Sequence, residues 1–366
     1  MWPWPDEASP LCNMQARTPT RRLWIFIMTT FTMQTRCIGD SDFETSTIGF
    51  GCWEMGGTFG YFDDTEIVQA IHRAVDLGVT LFDTAHVYGF NSNLDQPEGA
   101  GRSEELLGRA LGARRKNVLV VTKGGVPTRT GQNFPRDGRY DEVIKDCDDS
   151  LRALNTDYID LYLMHWPDKH VLIEEMMRAL NDLLSTGKVR NIGVSNFPSA
   201  RLREARQHAP IIANQVGYNM FDRRWEREMF STAAELGIGI MAYGPLAHGL
   251  LTGTMTMTTK FEKSDWRSKG MLFGQALFHQ DHYGKNLYVV DQLKAIAGRK
   301  GVSLPRLALA WVLANSQISV ALVGARNTAE MEDNVAALDV VLSDDDRAEI
   351  DHIMAGASGQ VDTLPE

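Results

Sequence analysis

Cysteine is scarce in this 366-residue chain: Cys12, Cys37, Cys52 and Cys147 are the only four, far apart, with no C-x-x-C pair and no histidine at ligand spacing. Neither a disulfide framework nor a structural zinc site is expected, so no metal is assigned. Free thiols of this kind fit a reducing, cytoplasmic compartment. Positive charge is in deficit, 37 Lys+Arg against 47 Asp+Glu for a formal −10. That balance argues against nucleic acid or an anionic membrane held by bulk electrostatics. Long apolar runs are lacking as well: Leu23–Met28 falls far short of the roughly 20 residues that cross a bilayer. With 43% hydrophobic residues, 13 Pro and 32 Gly, disorder and fibrous architectures are also excluded. No G-x-G-x-x-G opens an early helix, which removes a Rossmann dehydrogenase from consideration.

What is present begins unevenly. Residues 1–32 carry Trp2, Pro3, Trp4 and Pro5, a polar stretch, and then Arg21-Arg22 ahead of Leu23–Met28. A charged patch before a short apolar run faintly resembles a secretion signal, but no small-residue cleavage site follows before Met33. The segment reads as an extension outside the fold. Patterned sequence starts at Met33, compatible with Met33 as the working initiator, and residues 33–366 read as a single domain.

From there one unit repeats: a short apolar, β-branched run, a turn, then an amphipathic segment. The expected strands are Thr47–Gly51, Val79–Phe82, Val118–Thr122, Tyr158–Met164, Val189–Val194, Ile211–Ala213, Ile238–Ala242 and Ser319–Val323. Helical periodicity runs through Glu66–Leu77, Asp141–Leu154, Leu172–Ser185 and Trp225–Leu236, with apolar residues recurring every three or four positions. Strands apolar on both faces require cover on both faces, as in a parallel sheet wrapped by helices. Eight such units with right-handed crossovers close into a (β/α)8 barrel, the TIM-barrel class. Two additions are expected: a hairpin over Thr35–Thr45 capping the barrel bottom, and a long insertion between the seventh and eighth strands. The insertion holds a polar loop, Thr252–Gly284, and two helices, Leu287–Arg299 and Leu304–Ala314. A loop of that size on a barrel reads as a lid.

Active sites of βα barrels form at the C-terminal strand ends. Those ends carry Asp83 with Tyr88 five residues on, Lys123, His165-Trp166, Ser195-Asn196, Asn214-Gln215 and Tyr243. Asp83, Tyr88, Lys123 and His165 make chemical sense together. A phenol is a poor acid at neutral pH, but a neighbouring ammonium stabilises the phenolate and lowers its pKa toward the working range. Lys123 can be that ammonium and Asp83 its counter-charge. A neutral His165 can donate a hydrogen bond to a carbonyl oxygen. Singly, an Asp or His at a strand end is more often a helix cap or a satisfied turn residue. Convergence gives the set its weight, because a lysine ending an apolar strand needs a partner charge.

These residues carry a resemblance. Gly78-Val-Thr-Leu-Phe-Asp83-Thr-Ala-His-Val-Tyr88-Gly89, Val-Thr-Lys123, Asp157-Tyr-Ile-Asp-Leu-Tyr-Leu-Met-His165-Trp-Pro and Gly187-Lys-Val-Arg-Asn-Ile-Gly-Val-Ser-Asn196-Phe resemble the signature segments of the aldo-keto reductase family. The likeness covers Met33 to about Ile353. It implies Tyr88 as proton donor, Lys123 and Asp83 tuning it, and His165 orienting substrate. It further implies a nicotinamide cofactor held by Ser195, Asn196 and Gln215 at the carboxamide, with Tyr243 stacked on the ring. Gly244, Pro245, Leu246 and Gly249 fall at the pyrophosphate, with the backbone N–H groups of Gly244, Leu246 and Gly249 standing in for a serine that many members carry at position 244. Gly324, Arg326, Glu330, Asp333 and Asn334 resemble the segment around the adenosine, with Arg326 as clamp for a 2′-phosphate. NADPH is therefore the expected cofactor. Glu330 departs from the family's Gln or Arg and is a poor neighbour for a phosphate, which keeps NADH open. Arg267, in Asp265-Trp-Arg, resembles a residue that folds over the cofactor in some members. Trp53 and Trp166 match walls of the substrate cavity, and Phe59, Tyr61 and Phe90–Gly101 are candidates for its rim.

The leading expectation is NAD(P)H-dependent, reversible reduction of aldehydes or ketones, with a small carbonyl compound as partner. A Schiff-base aldolase or isomerase using Lys123 is a second reading. A third is a redox-sensing regulatory subunit, by resemblance to the cofactor-binding beta subunits of potassium channels.

Overall fold

The computed structural model describes residues 33–57, 59, 63–89, 99–128, 135–263 and 265–365. The extension expected over residues 1–32, Tyr61 and residues 90–98 of the expected rim lie outside the described residues.

Apolar runs become strands at or next to where the sequence places them, except that the sixth runs over Ala213–Gly217 and shares only Ala213 with the expected Ile211–Ala213. A two-stranded antiparallel hairpin, β1 (Thr35–Cys37) and β2 (Glu44–Ser46), precedes a closed parallel barrel. The barrel strands are β3 (Ile48–Gly51), β4 (Leu81–Asp83), β5 (Leu119–Gly124), β6 (Leu161–Met164), β7 (Ile192–Ser195), β8 (Ala213–Gly217), β9 (Gly239–Tyr243) and β10 (Ile318–Val323). They neighbour one another in chain order, and β10 closes on β3. The core inside the barrel is made by Leu81, Val121, Leu161, Leu163, Ala213, Met241, Val320 and Leu322, each almost wholly buried. Ile38 of the hairpin joins them and plugs the bottom. Gly39 lets the hairpin close there: its φ is +58°, and a Cβ would meet the Gly237 carbonyl oxygen at 2.3 Å.

Helices alternate with the strands: α1 (Asp64–Asp76), α2 (Arg102–Leu111), α3 (Tyr140–Leu154), α4 (Ile173–Ser185), α5 (Ser199–His208) and α6 (Met229–Glu235). Between β9 and β10 lie α7 (Gln280–Arg299) and α8 (Leu304–Ala314), and α9 (Thr328–Val335) and α10 (Asp344–Met354) follow β10. Two expectations need correction. The helix expected over Trp225–Leu236 is a 3-10 turn, Arg224–Glu226, and the short α6, because the backbone leaves the helical region at Glu228 (φ −135°). Helix α7 begins at Gln280, seven residues before the apolar pattern starts. Its first turns are polar in sequence but bury Tyr283 and Asn286, and His279 caps them by accepting from the Asp281 N–H. Among the described residues no helix is long and apolar enough to cross a membrane.

Candidate active site

Parallel register brings the strand ends to one rim: Gly51 pairs with Asp83, Lys123 with Leu163, and Ser195 with Gln215. Above that rim lies a cavity of about 1070 Å3, ample for a dinucleotide and a small substrate. Tyr88 reaches it from the turn after β4, and His165 follows directly on β6.

Lys123 is the centre of the arrangement. It is 1% exposed, and its Nζ donates to Asp83 Oδ1 at 2.7 Å, to the Thr84 carbonyl at 2.7 Å and to the Tyr88 hydroxyl at 3.2 Å. Three acceptors satisfy its three protons. The second oxygen of Asp83 accepts from Gln215 Nε2 at 2.6 Å. Burial pulls Lys123 below and Asp83 above their ordinary pKa ranges, and their mutual attraction opposes both shifts. The rings of Tyr88 and His165 meet edge to face at 5.9 Å. Burial, then the charges of Lys123 and Arg136, hold His165 well below its ordinary pKa, so its imidazole is neutral.

Tyr88 does not behave as the sequence suggests. Burial raises its pKa well above 10, and the negative charge of Asp83 adds to the rise. The expected drop toward neutrality is not seen: burial dominates, and the negative charge of Asp83 lies beside the ammonium that was to produce it. At neutral pH Tyr88 carries its proton.

The other expected residues converge on the same cavity. Ser195 Oγ donates to the Gln215 carbonyl, Asn196 Nδ2 to the His165 carbonyl, and the Tyr243 hydroxyl to Asn196 Oδ1 at 3.0 Å. Trp53 stacks at 6.1 Å on Tyr88, and Trp166 lies 6.0 Å from Phe273. Gly244, Pro245, Leu246 and Gly249 line the cavity, and the backbone is left-handed through Ala247 (φ 48°) and His248 (φ 55°). Successive turns of this kind form anion-binding concavities. The Gly249 N–H, expected to face a phosphate, is instead taken by the Leu246 carbonyl at 3.0 Å. Arg267 pairs with Asp265 at 2.6 Å and lies over the Phe59 ring.

At the far end, Gly324, Arg326, Glu330, Asp333 and Asn334 follow β10. Arg326 is not the open clamp that the sequence implies. Its Nε and Nη2 donate to Glu330 Oε1 at 2.9 and 2.6 Å, and its backbone N–H donates to Glu330 Oε2. A carboxylate one helical turn on is the natural partner of a guanidinium. Asp333 accepts from Arg306 and Ser303, and Asn334 Nδ2 donates to the Gly324 carbonyl.

Sequence reasoning missed several cavity residues: Glu54, His248, Trp266, Phe273, Arg136 and Arg224. Trp266 and Phe273 come from the polar-looking insertion and close on Trp53 at 5.6 and 5.7 Å. Arg136 stacks at 4.6 Å on Trp166. No local pattern marks them. Only Glu54 carried a signal, a carboxylate beside Trp53 at a barrel mouth.

The comparisons with known proteins agree with this geometry. The sequence profile of the aldo/keto reductase family matches residues 47–355. The chain is 35% identical to the aldo-keto reductase YhdN of Bacillus subtilis over 326 residues, covering 88% of this chain and 94% of the relative. It is 32% identical to the NADH-specific methylglyoxal reductase of Escherichia coli, covering 84% and 94%. Among solved structures, a glycerol dehydrogenase of Gluconobacter oxydans superposes with a TM-score of 0.76 at 34% identity, covering 90% of this chain and 96% of that one. The holo form of an aldo-keto reductase of Bacillus halodurans superposes with a TM-score of 0.70 at 26% identity, covering 92% and 99%. A phenol, an ammonium, a carboxylate and an imidazole at the mouth of an eight-stranded parallel barrel thus coincide with a profile match over most of the sequence, and the chain belongs to the aldo-keto reductase family of NAD(P)H-dependent oxidoreductases.

Proposed function

We propose that the chain reduces small aldehydes or ketones to alcohols, reversibly, with Tyr88 giving the proton to the carbonyl oxygen. One observation carries the reading: the Tyr88 hydroxyl ends a hydrogen-bonded chain through Lys123 to Asp83 and faces a cavity walled by Trp53, Trp166 and Phe273. When bound, the nicotinamide supplies the hydride that the carbonyl carbon accepts. The residues present suit that group, since the cavity runs from the catalytic side chains to Arg326 and passes the left-handed turn at Ala247-His248. Ser195, Asn196 and Gln215 would hold its carboxamide and Tyr243 its ring.

Each protein group then has a task. Neutral His165 donates to the carbonyl oxygen and polarises it. Tyr88, protonated at neutral pH, transfers its proton as negative charge grows on that oxygen, because an alkoxide is a far stronger base than a phenolate. Lys123 stabilises the phenolate left behind, and Asp83 keeps Lys123 in place. Trp53, Phe59, Trp266 and Phe273 exclude water from the reacting face.

The enclosure of Lys123 by three acceptors supports this role over attack by its amine on a carbonyl, which would have to break all three bonds. At the adenosine end, a 2′-phosphate would have to displace Glu330 from Arg326, whereas Glu330 can accept from a free ribose diol. This pairing moves the preference from the expected NADPH toward NADH. Tyr88→Phe tests the function. Loss of the proton donor should lower kcat for carbonyl reduction by about 10²- to 10⁴-fold, with dinucleotide affinity unchanged in a fluorescence titration. A variant with undiminished kcat refutes the assignment.

A further inference from the structure

The charges at the adenosine end of the cavity do not balance. Arg267 pairs with Asp265, Arg326 with Glu330 and Arg306 with Asp333, each at 2.6 Å. One more carboxylate faces the same space: Glu54, on the 3-10 turn that follows β3 (Glu54–Gly56). Among the described residues these three pairs leave Glu54 without a salt bridge of its own, and Glu66 adds further negative charge beside Arg326. The position is built in. The Glu54 carboxylate lies against Gly324, where an added Cβ would meet its Oε2 at 2.4 Å and its Oε1 at 2.5 Å, so the missing side chain at 324 makes its room.

Groups from every neighbouring element act on this carboxyl. Burial raises its pKa most; its own backbone N–H and Arg267 lower it, Glu330 raises it again and Arg326 lowers it. Cys52 beside it, and Asp83 and Tyr88 at the rim, complete the surroundings. The net result is a carboxyl pushed up to about 7. His165 lies well below that range and His248 is held down to about 3 by burial and Arg267, while Tyr88 and Tyr243 are raised, so none of these four titrates near neutrality.

A nicotinamide dinucleotide brings two negative charges on its pyrophosphate into this region. We propose that Glu54 sets the affinity for dinucleotide, which binds with Glu54 in its neutral form and draws a proton from solution whenever the free carboxyl is ionised. The inference rests on reading the cavity as a dinucleotide site. It makes binding tighter at lower pH, because there the charge of Glu54 is already discharged.

NADH is the probe, since the 2′-phosphate of NADPH titrates near pH 6 and would add its own dependence. Quenching of tryptophan fluorescence gives Kd from pH 6 to 8. Calorimetry at pH 8, in two buffers of different ionisation enthalpy, counts protons taken up. Linkage to a group titrating near 7 predicts a Kd that rises about tenfold across this range, with close to one proton taken up at pH 8. Glu54→Gln should bind at pH 8 about as tightly as the wild type does at pH 6, with a flat profile and no proton uptake. A wild type without proton uptake, or a Glu54→Gln variant that keeps the slope, overturns the inference and leaves the site reading standing. A wild type that binds neither NADH nor NADPH at either pH overturns both.

Discussion

Replacing Asp83 by Asn removes the counter-charge of an ammonium that is 1% exposed and 2.7 Å away. Lys123 then retains only neutral acceptors: the amide oxygen that replaces the carboxylate, the Thr84 carbonyl and the Tyr88 hydroxyl. Breaking a buried pair from one side costs about 3–5 kcal/mol, most of it the burden of the orphaned charge. Lys123→Met orphans Asp83 in turn, with Gln215 as its remaining side-chain partner, and should cost a similar amount. Each loss is a large part of the roughly 5–15 kcal/mol that holds a folded chain. The double variant is the informative one, because its second substitution removes the charge that the first left unpaired. Independent effects would sum to about 6–10 kcal/mol. The pair geometry instead predicts a double variant no worse than about 5 kcal/mol, a coupling of about 1 kcal/mol or more. Urea unfolding followed by tryptophan fluorescence measures all three. Additivity within about 0.5 kcal/mol would mean that Asp83 and Lys123 do not hold each other as opposite charges, and the derivation of the site from that pair would fail.

Other expectations follow from single contacts. Glu330→Gln should release Arg326 and raise NADPH affinity relative to NADH by about tenfold, the worth of one charged hydrogen bond, and Arg326→Ala should lower NADPH affinity more than NADH affinity. Paired fluorescence titrations decide, and an unchanged NADPH/NADH ratio in both variants removes this pair from cofactor choice. Gly39→Ala places a methyl against backbone atoms at 2.3 and 2.5 Å on a residue with φ +58°. It should destabilise the barrel by about 2 kcal/mol or more with kcat/KM intact, since the hairpin lies at the end away from the rim; a loss of activity without loss of stability would contradict that placement.

The barrel was legible because its evidence is local and repeated. Each strand is a short apolar run, and each turn after it carries a polar residue that register then delivers to one rim. Asp83, Tyr88, Lys123 and His165 could be placed together before any coordinates, as topology fixes the neighbours of β4, β5 and β6. The insertion resisted for the opposite reason. Trp266 and Phe273 acquire their role by closing over Trp53 across the mouth, and no periodicity encodes that contact. The first turns of α7 hid in the same way, being polar in sequence and buried by neighbours. Charge pairing was the other blind spot. Arg326 reads as a phosphate clamp until Glu330 is seen closing on it, and Glu54 reads only as a carboxylate beside Trp53 until Gly324 is found making room for it.

The reversal at Tyr88 changes where its chemistry is understood to lie. The sequence invites the idea that an ammonium acidifies the phenol at rest, which would make it a stronger acid but leave part of it without the proton it has to give. In the folded chain burial and Asp83 keep the proton on the oxygen, while Lys123 stays 3.2 Å away with its own charge balanced. The ammonium gains only a hydrogen bond from a neutral hydroxyl. In the proposed reaction it gains most once negative charge appears there, as the proton leaves for the substrate oxygen, so its stabilisation would fall on the transition state and not on the resting enzyme. His165, neutral beside it, can donate to that same oxygen without adding a charge that would repel Lys123. On this reading charge at rest is confined to the buried Lys123–Asp83 pair, while Tyr88 and His165, the two groups that would face the carbonyl oxygen, stay neutral until Tyr88 gives up its proton.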